Sequence, residues 1–331
     1  MAKMFPEIAY TVASRIQPYW LRATQTARSE EEVSLLFTLS PDTWSNFVQV
    51  AEYWDGPISA TLHASSPDEL DQIRKAYHEA SFSARTDIHL IETTRQKSSN
   101  MLSRNTQRNV ARLYARTEFV CEIPSDVLIP VDLKRVLELH KESYLNLLRQ
   151  GDILVLPTFG HLRPSIIPTT KAQIVELILA RQLASADTSQ DWSARPSDYS
   201  SWINATSPYA VENYDMYYEP VTIESKTIQP WCPERFYDNR AACALVRYLT
   251  GSQFFVLPNA FAVKLEKKAN DMDPLENGVN KRMFGRFYRE QCVNQARQLD
   301  ALGLWQGSRS SNIRQLCPRV IKEWSQELLS H

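Results

Sequence analysis

The sequence predicts an α/β protein: a mostly parallel sheet flanked by helices, followed by a helical C-terminal tail. Three observations predict it. Short apolar runs alternate with stretches of helical length along the first 260 residues. The runs are apolar throughout rather than alternating, as strands covered on both faces are. The 331 residues are 43% hydrophobic and 23% charged, which leaves ample material for a core. That length suits two domains or one α/β domain with additions.

The elements follow in order. Residues 33–39, VSLLFTL, read as the first buried strand. Ser40-Pro41 then opens a helix, with serine as N-cap and proline at the first helical position. That helix carries Trp44, Phe47, Val48 and Tyr53 and ends near Asp55-Gly56. ISATLHA (58–64) is a second strand, and Ser66 with Glu69 has the form of a capping box that starts a second helix. IHLIE (88–92) is a third strand, 101–116 a helix, and EFVCEI (118–123) a fourth strand. Long helices are expected at 131–150 and 170–184, separated by DILVLPTFG. Residues 186–212 are rich in Ser, Asp, Thr and Pro and read as a loop excursion. Phe254 to Leu257, stopped by Pro258, reads as a buried strand handing over to a loop. The tail from 277 is mostly helical. The resulting organisation is an extension at 1–30, an α/β domain at 31–290 and a helical tail at 291–331. In such sheets ligands bind beyond the carboxyl ends of the strands.

Composition narrows the function classes. The net charge is −1, so no whole-molecule field draws nucleic acid or membrane, and either partner would need a local patch. The five cysteines are odd in number and no two have CxxC spacing, which predicts reduced thiols and a cytoplasmic setting. The N-terminus is interrupted by Pro6, Glu7, Arg15 and Pro18, and no stretch reaches the roughly 18 apolar residues of a membrane span. No membrane and no stable protein partner are expected. GxGxxG, P-loop and GxSxG motifs are absent from the sequence.

Two constellations carry candidate chemistry. Arg104, Arg108, Arg112 and Arg116 lie four residues apart and form one stripe on the 101–116 helix, with no acidic residue from Thr93 to Arg116. Such a stripe suits a polyphosphate or nucleic-acid backbone, because arginine presents a fixed fork of donors; a solvated face neutralised from elsewhere is the alternative. Asp215 and Glu219 bracket two tyrosines. In a strand both would point to one face, where one carboxyl tends to keep its proton for acid or base work; two solvated acids are the alternative. Glu234-Arg235 reads as a local ion pair, and His63 and His161 as structural residues at strand ends, with no second ligand to complete a metal set.

Together RNVARLYARTEFV (108–120), YEPVTI (218–223), ERF (234–236) and FVLPNAFAVKL (255–265) resemble the glycosyltransferase family 49 domain of the LARGE-type xylosyl- and glucuronyltransferases. The resemblance implies a GT-A-like (Rossmann-like) fold over roughly 30–290, a nucleotide-sugar donor, manganese and a Golgi membrane anchor. The family's Asp-x-Asp after the fourth strand is matched by CEIPSDVLIP, with only Asp126, and a family histidine that binds metal is matched by Lys264. The implied fold is kept and the implied metal site is lost.

A narrower resemblance is to the fungal arginine-containing cyclodipeptide synthases, whose Asp-Asp-x-x-Glu is matched by Asp215-Met216-Tyr217-Tyr218-Glu219. It implies an enzyme of secondary metabolism that joins arginine from arginyl-tRNA to a second amino acid or aminoacyl-tRNA, with no metal and no cofactor. Glu219 would be the acid/base, Asp215 would pair with the arginyl group, and the arginine stripe would hold tRNA phosphates. Asp126, Tyr217, Arg235, Asn259 and Lys264 are the expected substrate-binding residues. The alternative is a family 49-like glycosyltransferase with a UDP-sugar donor and manganese, in which the stripe holds a diphosphate and Asp126 and Glu219 flank a sugar. A catalytically inactive binding protein is the third reading.

Overall fold

The computed structural model describes residues 16–25, 29–64, 66–92, 103–124, 127–162, 167–180, 195–265 and 274–329. Nine strands form one twisted sheet: β1 (Ile16–Leu21), β2 (Val33–Leu39), β3 (Ile58–Ala64), β4 (Thr86–Glu92), β5 (Phe119–Glu122), β7 (Ile153–Leu156), β9 (Tyr209–Ala210), β10 (Val221–Ser225) and β11 (Phe254–Val256). Their spatial order is β1-β4-β3-β2-β5-β10-β7-β11-β9. β4, β3, β2 and β5 are parallel neighbours, as are β7 and β11; β10 lies antiparallel between β5 and β7, and β1 and β9 are antiparallel edges. A second sheet joins β6 (Val127–Leu128), β12 (Ala262–Leu265) and β8 (Thr158–Leu162) beyond the carboxyl end of β7. The expectation of a large sheet flanked by helices is met, with β1, β9 and β10 as its reversed members.

Alternation along β7 shows how the sheet is covered. Leu154 and Leu156 face a core with Phe37, Phe47 and Tyr144, while Ile153 and Val155 face another with Trp202, Phe254 and Phe287. On the first face pack α1 (Trp44–Tyr53), α2 (Pro67–Glu79) and α5 (Lys141–Gln150). On the second lie α7 (Tyr199–Asn204), α8 (Arg240–Leu249), α9 (Pro274–Ala301), α10 (Ser311–Leu316) and α11 (Pro318–Leu329). Strands 33–39 and 58–64 stand where the apolar runs place them.

Several expectations change. Residues 16–21, assigned to an extension, are a sheet strand, with Ile16 opposite Ile91. The single helix over 131–150 is two, α4 (Leu133–Leu139) and α5, broken at His140. Gly151, at φ 89°, ends α5 in a left-handed cap. The capping box at Ser66 does not form, since that side chain makes no cap hydrogen bond. The helix expected at 170–184 is α6 (Lys171–Leu179); of the expected 186–212 excursion, 186–194 falls outside the described residues and the remainder carries α7 and β9. The cysteines are not all thiols: Cys232 is bonded to Cys243 and Cys292 to Cys317, and buried Cys121 alone is free. Sequence spacing cannot show pairings made across 11 and 25 residues by the fold.

Candidate active site

The arginine stripe forms as a stripe but faces inward. It lies on α3 (Arg104–Tyr114) and the cap beyond it; within the helix Arg108 and Arg112 are buried. Arg108 donates from Nε to Glu122 Oε1 at 2.5 Å and from Nη2 to Asp238 Oδ1 at 2.8 Å. Arg112 donates to the carbonyls of Lys226, Gln229 and Pro230 and stands 3.7 Å from Glu224. Arg116 meets Asp87 at 2.7 Å, and Arg104 lies 3.7 Å from Asp238. Acids distant in sequence neutralise the stripe. Its two central members are therefore closed to a tRNA or a diphosphate, because Arg108 and Arg112 are buried against protein acceptors.

The stripe holds down the strap 226–239. Asn109 donates to Cys232 O at 2.9 Å and accepts from Cys232 N at 3.0 Å; Asn105 donates to the carbonyls of Pro233 and Asn239. Asn239, fixed in this way, caps α8 by accepting from Ala242 N at 2.7 Å. The first residue of α8 is Arg240, which thereby reaches the carboxyl edge of the sheet.

Electrostatics follow burial. Burial lowers the Arg108 pKa, but the carboxylates of Glu122 and Asp238 outweigh it and hold it above its usual value. Burial raises Glu122 and the two facing guanidiniums, Arg108 and Arg240, overcome that, leaving its pKa below the usual carboxylate range. At Glu224 the balance tips the other way: burial keeps the pKa raised against Arg247 and Arg112. Burial brings Arg112 down to about 10. These are structural ion pairs, and Arg247 completes them at 2.7 Å from Glu224.

At the carboxyl end of β7 a narrow cleft of about 30 Å³ opens between the two sheets. Glu219, Arg240 and Lys264 line it together with Thr158, Ser197 and Tyr218. That volume admits the charged end of a ligand and not a whole nucleotide. A larger apolar cavity of about 300 Å³ lies at the amino ends of β2 and β5, against Val33, Phe119 and Tyr144. Size favours the second; position favours the first, because sheets of this kind bind at their carboxyl edge and the convergent charges are there.

Of the expected site residues, Glu219 and Lys264 meet in the cleft. Asp215 does not join them: 215–218 is a turn and not a strand, and Asp215 Oδ1 accepts from Tyr217 N at 2.7 Å within it. Tyr217 is 43% exposed and rests on Phe284, with ring centroids 5.5 Å apart. Arg235 forms a two-pronged pair with Glu290 at 2.8 and 2.9 Å, which corrects the local pairing with Glu234. Asn259 is exposed in the turn after β11, and Asp126 lies outside the described residues. His63 ends β3 half-buried, its pKa lowered by burial and then by Arg104; the side chain of His161 lies outside the described residues. Arg240, Tyr218 and Ser197 were missed. Only Asn239, a helix-capping residue before an arginine, signalled Arg240.

Among the described residues, the donor set does not fit a divalent cation. Glu122, the carboxylate ending β5, is held by Arg108, with Arg240 Nε at 3.5 Å. In the cleft two cations face one carboxylate. Among the described residues no three of His, Cys, Asp and Glu gather as ligands.

Comparison with known proteins gives the family. The profile of the glycosyltransferase 49 family, described as a glycosyl-transferase for dystroglycan, matches residues 78–295, and the chain belongs to that family. The glycosyltransferase-like protein gnt14 of Dictyostelium discoideum is 28% identical over 73% of this chain and 38% of its own length. Human xylosyl- and glucuronyltransferase LARGE1 is 25% identical over 73% of this chain and 32% of its own. The chain thus spans about a third of the length of these curated relatives. Among solved structures, S. aureus TarS in complex with UDP is 13% identical over 80% of this chain and 66% of its own, with a TM-score of 0.46. The cyclodipeptide synthase reading is overturned. The matched family is one of glycosyltransferases, and the stripe that was to hold arginyl-tRNA is buried in ion pairs.

Proposed function

We propose that this chain transfers a sugar from a UDP-sugar donor to a hydroxyl acceptor at the cleft formed by Glu219, Arg240 and Lys264. One observation carries the reading: in a chain of glycosyltransferase family 49, these charged side chains from separate elements converge at the carboxyl edge of the sheet. In the transfer, the bond from sugar C1 to the β-phosphate oxygen breaks and its electron pair leaves with UDP. The acceptor oxygen forms the new bond to C1 and releases its proton. Glu219 is the base for that proton: it is exposed to an incoming acceptor, and Ala241 N–H steadies its Oε1 at 3.4 Å.

The test is UDP release from a panel of UDP-sugars by the purified chain, with and without manganese. Release from at least one donor is expected. Release from none, by folded protein, sinks the reading.

We also infer folding in an oxidising compartment rather than the expected cytoplasm. Two disulfides support this, because cytosolic thiols are kept reduced. Thiol titration of protein from native cells checks it: about one reactive thiol on unfolding is expected, and five contradict it.

A further inference from the structure

We propose that Arg240 and Lys264 take the place of a divalent cation and balance the charge of the nucleoside diphosphate leaving group. The proposal rests on the glycosyltransferase reading above. When the C1–oxygen bond breaks, the electron pair remains on the β-phosphate oxygen, so the departing diphosphate gains a negative charge. Something at the carboxyl edge of the sheet must meet that charge. Among the described residues, the carboxylate that ends the neighbouring strand, Glu122, is already bound to Arg108, with Arg240 beside it. Glu219 alone remains among the cleft's described carboxylates, and it faces two cations.

Both cations are fixed by rigid elements on opposite sides of the cleft. Lys264 comes from β12, where it pairs with Val127 of β6. Arg240 begins α8, a ten-residue helix whose start is set by the Asn239 cap and the Cys232–Cys243 bond. Its Nη2 donates to Pro220 O at 2.8 Å. Its Nε is buried and faces Glu122 Oε1 at 3.5 Å without a hydrogen bond, so the guanidinium is anchored on the protein side of the cleft. Phosphate oxygens between Arg240 and Lys264 would meet the guanidinium on one side and the lysine ammonium on the other. The cleft is small, about 30 Å³, so sugar and base would lie outside it.

The experiment is calorimetric titration of the full chain, disulfides intact, with UDP and separately with uridine, in EDTA and then with manganese. UDP is expected to bind in EDTA, with an affinity within about threefold of that in manganese, a change of less than 1 kcal/mol by the tenfold rule. Lys264→Met should weaken UDP by on the order of tenfold and leave uridine unchanged, a difference that a merely structural lysine would not produce. Arg240→Gln should act likewise; Lys264→Met keeps the test decisive if that variant does not fold. UDP binding that appears only with manganese overturns this inference and leaves the transferase reading standing. So does a Lys264→Met protein that binds UDP as well as the parent. No UDP binding in either condition overturns both.

Discussion

Arg108 Nε and Glu122 Oε1 stand 2.5 Å apart at the end of the middle strand of the large sheet, with side chains only 7% and 13% exposed. The pair joins the arginine helix to the strand that would otherwise offer a carboxylate to the cleft. Asp238 on the strap closes the cluster from the other side at 2.8 Å. Through this pair, the residues that look like an anion-binding surface become the fastening of the site.

Removing one partner of such a pair leaves a buried charge. Arg108→Met is expected to cost about 3–5 kcal/mol of stability. Urea denaturation measures it, and a loss below about 1 kcal/mol would show that the strap is held by its other bonds alone.

Glu219 is exposed and touches little, so its role is chemical if the proposed function holds. Glu219→Gln should lower kcat by about 10²–10⁴-fold with an unchanged melting temperature. Unchanged turnover on a donor that the parent uses would remove Glu219 from the reaction.

The Cys232–Cys243 bond ties the strap to α8, and Cys292–Cys317 ties α9 to the chain just after α10. Each closes a loop of a size for which a disulfide contributes about 3 kcal/mol. Reduction, or Cys232→Ser with Cys243→Ser, should lower the melting temperature by several degrees. A melting curve indifferent to reductant would contradict the pairing.

His89 is buried in β4 as a neutral ring. Its Nδ1 accepts from Tyr19 N at 2.9 Å, and its Nε2 meets Ser59 Oγ at 3.0 Å. Burial, with a smaller push from Arg116, lowers its pKa to about 3. The unfolded ring, near 6.5, takes up a proton that the folded ring refuses, so stability falls as pH falls from about 6.5 toward 3. The loss is on the order of 4 kcal/mol. Asp87, whose pKa is raised by burial, works the other way as its own penalty is relieved, and Glu122, whose pKa is lowered, adds to the loss. Chemical denaturation at a series of pH values should show a steep acid slope that flattens in His89→Gln; an equal slope in both proteins would assign it to the carboxylates.

Local pattern made much of the fold legible. VSLLFTL and ISATLHA are apolar throughout and bounded by turn residues, and they form strands over those same residues. β1 was hidden because IQPYWL contains a proline and partly exposed residues, as an edge strand permits. The split at His140 was hidden because both halves carry helical periodicity.

At the site, the residues themselves stood out in the sequence, and their company did not. The four-residue spacing of the arginines determined that they share one face of a helix. Whether that face meets water or Glu122, Asp238 and the carbonyls of the strap depends on segments up to 130 residues away. Glu219 and Lys264 were visible as charged residues in or beside apolar runs, but their meeting at one cleft needed two sheets to be brought edge to edge. Covalent sequence sets periodicity, charge and turn chemistry, which are local. Neutralisation, disulfide pairing and the convergence of Arg240 with Lys264 are contacts between distant segments, so only the tertiary structure decided them.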